Sequence, residues 1–173
     1  MVSQEITREE LAVGDEQTVG AAGFFHVGIT VKDLEVSTRF YERAIGLARS
    51  WEQCIDRDSS RTLVGLAFTR LHCRFLALPG GGLLELLEYE PATGSPVRSD
   101  PDDAGTAHLC LWVEGLDHVL ERARSLGGRT ISAAPVPVPD GRYAGARVVY
   151  LRDPDDFILE LIEAPHGGAG GNV

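Results

Sequence analysis

The chain has 173 residues, 43% of them hydrophobic and 24% charged, which suits one compact globular unit or two small modules with a common core. Its formal net charge of −10 at pH 7 argues against a nucleic-acid partner, because phosphate-binding surfaces need clustered Lys and Arg. No apolar run approaches the roughly 20 residues of a membrane span, so no membrane partner is expected. The polar N-terminal segment carries no secretion signal, and the three cysteines follow neither a disulfide nor a metal-knuckle spacing, which predicts a cytoplasmic protein.

The first part of the chain predicts a strand, a helix and further strands. Residues 1–22 are predicted to form an N-terminal extension with one short helix at 5–11. Residues 24–31 alternate in polarity and are rich in β-branched side chains, as in a strand. Asp33 is the expected N-cap of the following helix, and Gly46 is its expected C-terminal stop. Three or four more strands are predicted, at 48–53, 61–69, 72–78 and 83–89.

After a polar linker, the second part of the chain repeats this plan. A strand is predicted at 106–113, a helix at 116–126, and strands at 129–133, 146–152 and 157–163. Residues 134–145 contain three prolines and two glycines, which predicts an irregular loop that acts as a lid or rim. The resulting organisation is an extension (1–22), a first βαβββ module (23–92), a linker (93–105), a second βαβββ module (106–165) and a flexible tail (166–173).

One histidine and one glutamate recur at matching places in the two modules. His26 and His108 stand in the first strand of each module. Glu85 and Glu160 stand in the near-identical last strands, Leu-Glu-Leu-Leu-Glu and Leu-Glu-Leu-Ile-Glu. Side chains alternate along a strand, so all four residues point away from the apolar neighbours that pack on the helices. The pattern therefore allows the four side chains to face one hollow.

The chain as a whole predicts an α+β fold in which two βαβββ modules form an open, curved mixed sheet around a metal-binding cavity. Two neutral imidazoles and two carboxylates suit one divalent metal ion, and Ni, Co, Zn, Mn and Fe all remain open. Such an ion is a Lewis acid for a substrate carbonyl, and a neighbouring carboxylate serves as the base. The alternative is that duplication copied a structural His and Glu. Glu88 and Glu163, at the strand ends, are expected to be solvated.

Several motifs resemble the vicinal oxygen chelate superfamily, which includes glyoxalase I, methylmalonyl-CoA epimerase, extradiol dioxygenases and the bleomycin and fosfomycin resistance proteins. The resemblance spans residues 24–164. It rests on the His-Val-Gly-Ile-Thr-Val run from His26, on Phe40-Tyr41 with Gly46-Leu47, on Leu84-Glu85-Leu86, on His108, and on the Asp153-Pro154-Asp155 turn before Leu159-Glu160-Leu161. The resemblance implies paired βαβββ modules that form a metal-binding cup.

The resemblance also implies the metal ligands, which fall on His26, Glu85, His108 and Glu160. A complete set of this kind is most similar to glyoxalase I. It implies a lyase or isomerase in which Glu160, with Glu85 as the second catalytic carboxylate, moves a proton on a small oxygenated substrate through a metal-stabilised enolate. The Gly94-Ser95-Pro96 stretch resembles the epimerases, which usually have Gln at the position of Glu85.

Two other activities remain open within this family. An extradiol-type dioxygenase would hold Fe(II) with His26, His108 and Glu160, which leaves Glu85 surplus. An antibiotic-binding resistance protein would hold no metal, and such proteins generally lack the four ligands. The family further implies a small-molecule substrate and a homodimer, with the site either within one chain or across the dimer.

Overall fold

The computed structural model describes residues 20–165 of the chain. Its strands form two open mixed sheets. The first sheet consists of β1 (His26–Thr30), β2 (Ala48–Ile55), β3 (Arg70–Ala77) and β4 (Leu83–Glu90), in the spatial order β1-β4-β3-β2. The second consists of β5 (His108–Trp112), β6 (Arg129–Thr130), β7 (Val136–Pro137), β8 (Arg147–Arg152) and β9 (Ile158–Glu163), in the order β5-β9-β8-β6 with β7 also paired to β8.

Three helices accompany the sheets in the part of the chain that the structure describes. α1 (Leu34–Phe40) continues as a π-helical turn (Tyr41–Ile45), α2 (Asp58–Val64) connects β2 to β3, and α3 (Leu116–Ser125) follows β5. The predicted ends of the first helix are confirmed. The Asp33 side chain accepts hydrogen bonds from two backbone N–H groups of the first turn, and Gly46 ends the helix with a φ of 89°. None of the helices within residues 20–165 combines the length and the apolar character that crossing a membrane requires.

The predicted α+β class with two βαβββ-type units and open mixed sheets is confirmed, and the strands are divided between two sheets. Residues 134–145 are mostly irregular, as predicted, but include the short strand β7. The helix predicted at 5–11 and the tail at 166–173 lie outside the described residues. The module and linker boundaries stay a prediction.

The strand predicted at residues 61–69 is wrong, because α2 and an irregular segment occupy that range. Its apolar residues suggested a strand, yet Leu63 is 85% exposed and α2 has no buried residue. Arg61 holds the segment in place by donating hydrogen bonds to the backbone carbonyls of Phe68 and Thr69. Gly65 ends α2 with a φ of 68°, a conformation that favours glycine.

One hydrophobic core joins the two sheets through the helices. α1 packs on β3 and β4, α3 packs on β6 and β9, and α3 also packs against the π-helical turn. Gly128 permits this close approach, since a Cβ at that position would lie 2.8 Å from the ring of Phe40. The two sheets thus share a core on their helix-bearing faces. Their opposite faces, here called the first and second outer faces, point away from that core.

A buried hydrogen bond crosses this core between the two units. The Tyr41 hydroxyl donates to Asp153 Oδ2 at 2.7 Å, and both side chains are fully buried. Asp153 lies in the turn between β8 and β9, where it also accepts hydrogen bonds from the backbone N–H groups of Asp155 and Phe157. Ser37 of α1 donates a further hydrogen bond to Asp155 at 2.9 Å. The Phe40-Tyr41 and Asp-Pro-Asp motifs therefore dock the two units on each other.

Two glutamates at strand ends secure the helix N-termini. Glu88 accepts a hydrogen bond from the backbone N–H of Leu34 at 3.1 Å, and Glu163 accepts one from Leu116 at 2.8 Å. The hydrogen bond from Leu116, followed by those from Arg147, lowers the pKa of Glu163. The expectation that both glutamates are solvated is wrong, because Glu163 is buried and Glu88 is half-buried. Both face the first N–H groups of a helix, which have no partner within it.

The Asp153 carboxyl predicts a specific pH dependence of stability. Burial raises its pKa from 3.8 to about 6, although the hydrogen bonds from Tyr41 and the backbone oppose this shift. The folded state therefore holds the proton more tightly than the unfolded state does. The stabilising contribution of that proton is complete below about pH 4 and is lost as the pH rises through about 6.

Replacing this carboxyl with a neutral amide in D153N removes the titration. We expect the stability of the wild type, relative to D153N, to fall by on the order of 3 kcal/mol between pH 4 and pH 7. Urea unfolding of both proteins at each pH measures this difference. The contributions of the other titrating groups cancel in it because both proteins contain them. A difference that stays constant across this range would show that Asp153 is not a buried, proton-binding group.

Candidate metal centre

On the first outer face, His26 and Glu85 form a close pair. His26 Nε2 lies 3.1 Å from Glu85 Oε2, and the two side chains are 35% and 12% exposed. β1 and β4 run parallel, with Gly28 directly opposite Glu85. Because side chains alternate along β1, Val27 and Ile29 pack into the core while His26 points outward. We call this pair the first half-site.

The second outer face repeats this arrangement with His108 and Glu160. His108 Nε2 lies 3.1 Å from Glu160 Oε2, with exposures of 41% and 19%. β5 and β9 run parallel, and Cys110 stands opposite Glu160 where the first unit has Gly28. We call this pair the second half-site. The duplication seen in the sequence is thus a duplication of a local side-chain geometry.

The two half-sites lie on separate sheets, on faces that point away from the shared core. Within residues 20–165, no group of three or more His, Cys, Asp and Glu side chains is close enough to hold one metal ion. Each half-site alone fits a metal as a pair of ligands. Two ligand atoms about 2.1 Å from one ion and at a right angle lie about 3 Å apart, and the observed separations are 3.1 Å.

The side chains next to the two carboxylates differ between the half-sites. In the first, the strand pairing sets Phe75 beside Glu85 and Trp51 beside Phe75. In the second, it sets Tyr150 beside Glu160. Sequence reasoning missed Phe75, Trp51 and Tyr150 because they become neighbours of the site only through the register of β2, β3 and β8.

Tyr150 is in contact with both members of the second half-site. Its ring meets the His108 ring edge-on, with centroids 5.3 Å apart. Burial raises the pKa of Tyr150, and the charge of Glu160 and its interaction with the hydroxyl raise that pKa further. No hydroxyl occupies this position in the first half-site, where Phe75 stands beside Glu85. The two carboxylates are therefore in different environments despite the duplication.

A thiol accompanies each carboxylate. Burial, the charge of Glu85 and its interaction with the thiol raise the pKa of Cys73 to about 12. Burial and the same two effects of Glu160 raise the pKa of Cys110 to about 12. At neutral pH both groups are thiols, so neither is a preformed thiolate ligand.

Two large side chains next to the irregular loop 134–145, Trp112 and Arg147, make different kinds of contact. Trp112 lies on the second outer face, 40% exposed, and its ring contacts that of Tyr143 at 5.8 Å. This contact joins the loop 134–145 to β5 on the second outer face. Arg147, in contrast, pairs with Glu163 and Asp117 at 2.6 and 3.0 Å. Its guanidinium is therefore engaged in structural ion pairs.

The thiol next to Glu160 provides a test of this local geometry. Only the thiolate reacts with iodoacetamide, so a lower pKa speeds the labelling of a thiol. E160Q removes the negative charge beside Cys110, and we expect the rate of Cys110 alkylation at pH 8 to rise several-fold, as measured by mass spectrometry. E88Q is the matched control, because Glu88 faces α1, and it should leave Cys110 unchanged. Equal rates at Cys110 in E160Q and the wild type would contradict the contact.

Comparison with known proteins places the chain in a family. The family model described as "Glyoxalase/Bleomycin resistance protein/Dioxygenase superfamily" matches residues 25–150. A 2-epi-5-epi-valiolone epimerase from Actinomyces sp. is 30% identical over 151 residues, which cover 86% of this chain and 82% of the epimerase.

Solved structures share the fold. A glyoxalase family protein from Bacillus cereus has a TM-score of 0.73 at 19% identity, covering 87% of this chain and 99% of that protein. A fosfomycin resistance protein from Listeria monocytogenes, in complex with Mn(II) and sulfate, has a TM-score of 0.54 at 17% identity, covering 85% and 96%. With the family match over most of its length, the chain belongs to the glyoxalase/bleomycin resistance protein/dioxygenase superfamily, which confirms the resemblance found in its sequence.

Proposed function

We propose that the protein is a divalent-metal-dependent isomerase of the epimerase type, which moves a proton on a carbon next to a carbonyl group. The observation that carries this proposal is the pair of equivalent half-sites, each with an imidazole nitrogen 3.1 Å from a carboxylate oxygen. The relationship to a 2-epi-5-epi-valiolone epimerase favours epimerisation over the lyase chemistry of glyoxalase I.

The complete site, in this proposal, forms between two copies of the chain. The first half-site of one copy faces the second half-site of its partner, and the symmetric pair of contacts creates two sites per dimer. Two facts support this assembly. The helical core keeps the outer faces of one chain pointing apart. These faces also carry exposed aromatic rings, including Trp51 and Trp112, that a partner would cover.

Four residues would hold the metal: His26 and Glu85 from one copy, and His108 and Glu160 from the other. A bound divalent ion would stabilise the negative charge that develops on a carbonyl oxygen when the adjacent carbon loses a proton. Glu160 would accept that proton as the general base, and Glu85, once protonated by solvent, would return a proton to the opposite face of the same carbon. Delivery from the opposite side inverts the carbon, which is the outcome of epimerisation.

The geometry disfavours the dioxygenase alternative. A three-ligand iron site formed by His26, His108 and Glu160 would leave Glu85 without a role. Yet Glu85 lies as close to His26 as Glu160 does to His108, and its side chain is only 12% exposed. The presence of all four side chains also argues against a metal-free antibiotic-binding protein.

Metal binding tests the ligand assignment. We expect calorimetry to show one Zn²⁺ bound per chain, with affinity lowered roughly tenfold or more in H26A, E85Q, H108A and E160Q, because each change removes or weakens a ligand. E88Q is the matched control, a glutamate of the same strand as Glu85 that faces α1 instead of the outer face. Unchanged affinity in E85Q would remove Glu85 from the site and restore the dioxygenase alternative.

Proton exchange tests the reaction. The metal-loaded protein is incubated in D₂O with 2-epi-5-epi-valiolone and, separately, with small α-hydroxyketones. We expect NMR to show deuterium entering the carbon next to the carbonyl, at a rate reduced about 100-fold in E160Q because a general base contributes on that scale. Absence of exchange with every one of these ketones would contradict the proposed reaction class.

A further inference from the structure

A cavity of about 540 Å³ opens beside the N-terminus of α1, over β3 and β4. Four carboxylic acids and two bases line it: Asp33, Glu35, Glu88, Glu90, His72 and Arg74. Because the acids outnumber the bases, the cavity is negatively charged. It lies on the helix-bearing face of the first sheet, whereas Glu85 points to the outer face of the same strand. The cavity is therefore separate from the candidate metal centre.

In the second unit, a guanidinium occupies the corresponding place. Arg147 Nη2 lies 2.6 Å from Glu163 Oε2 and 3.0 Å from Asp117 Oδ2. Arg147 Nε donates a further hydrogen bond to Glu163 Oε2 at 2.9 Å. Glu163 uses its other oxygen, Oε1, to accept the backbone N–H of Leu116. One guanidinium thus joins the first turn of α3 to β9.

The first unit repeats this arrangement without the arginine. Glu88 takes the place of Glu163, because it accepts the first backbone N–H of α1 at the end of β4. Glu35 is the second residue of α1, as the aspartate that pairs with Arg147 is of α3. In the strand register, His72 stands opposite Glu88, where Arg147 stands opposite Glu163. The imidazole thus replaces the guanidinium.

Glu88 forms no ion pair with a cationic side chain within the residues that the structure describes. His72 Nε2 lies 3.5 Å from Glu90 Oε2 instead. The Arg74 guanidinium lies 2.7 Å from Glu35 Oε1 and is directed to that carboxylate. The glutamate that corresponds to the arginine-binding Glu163 therefore borders an open cavity in place of a guanidinium.

We propose that this cavity binds a small molecule with a guanidinium group, placed against Glu88 as Arg147 is placed against Glu163. A guanidinium presents its N–H groups in a fixed planar fork and can contact two carboxylates at once, whereas an ammonium group lacks this geometry. The bound molecule joins α1 to β4, as the arginine of the second unit joins α3 to β9. The inference does not depend on the metal centre, which lies on the other face of the sheet.

Agmatine and putrescine test the need for a guanidinium. The two molecules have the same charge and the same butylene chain, and they differ by a guanidinium against an ammonium group. We expect calorimetry with the purified protein to show agmatine binding about tenfold more tightly than putrescine, because the planar fork fits paired carboxylates. Equal affinities, or no binding of agmatine, would overturn the proposal.

Variants at position 72 test where the guanidinium binds. H72R supplies a guanidinium from the chain itself, at the position that corresponds to Arg147, and should weaken agmatine binding about tenfold or more. H72Q is the matched control, since it removes the imidazole without adding a cation, and it should keep the wild-type affinity. Undiminished agmatine binding in H72R would contradict the assigned position.

Removing the carboxylate tests its role directly. E88Q should weaken agmatine binding about tenfold, because the amide carries no charge for the guanidinium to pair with. E121Q is the control for loss of an exposed glutamate, on α3, and should bind agmatine as the wild type does. Agmatine should also leave the affinity for Zn²⁺ unchanged. Competition between agmatine and Zn²⁺ would place agmatine at the metal centre and overturn the proposal.

Thermal unfolding gives an independent readout. A ligand that binds only the folded state raises the unfolding temperature. Saturating agmatine should raise the Tm of the wild type by several degrees and leave the Tm of H72R nearly unchanged. Equal shifts in the two proteins would show that agmatine binds elsewhere.

Discussion

The buried hydrogen bond between Tyr41 and Asp153 is the constraint on which the arrangement of the molecule depends. It joins the end of the first helix to the turn before the last strand, within a core to which both sheets contribute. Leaving either partner unpaired would cost on the order of 1–3 kcal/mol, because both groups are removed from water. This bond and the packing of α3 on the π-helical turn set the helices between the two units. The sheets are consequently turned with their outer faces apart.

That orientation determines what one chain offers chemically. Each outer face presents a single His–Glu pair, and the two pairs cannot converge without breaking the shared core. A pair supplies only two ligands, which leaves most positions around a divalent ion unfilled. Under the proposed function, the duplication therefore allows two copies of the chain to form a four-ligand site that one copy does not form alone. The differences between the copies, Gly28 against Cys110 and Phe75 against Tyr150, make the two sides of such a site chemically unequal.

Strand periodicity was enough to predict much of this from the sequence. Alternation in β1, β4, β5 and β9 identified which residues leave the core, and the internal repeat identified His26, Glu85, His108 and Glu160 as equivalent pairs. Periodicity does not encode how two units pack, so the separation of the pairs was not predictable. The roles of Glu88 and Glu163 were missed because a helix N-terminus and a strand end meet only in three dimensions. Phe75, Tyr150 and Trp51 could be identified as neighbours of the site only from the strand register. The apolar residues of α2 suggested a strand although they are exposed.

The central claim, a site shared by two copies, is tested most directly by complementation. One variant, H26A/E85Q, lacks the first half-site, and another, H108A/E160Q, lacks the second. Differently tagged copies are refolded together, and the heterodimer is purified for measurement of bound Zn²⁺. A shared site predicts that neither variant alone binds the ion tightly and that the heterodimer binds one ion, since it keeps one intact combination of half-sites. A heterodimer that binds none, beside a wild type that binds one ion per chain, would contradict the shared site.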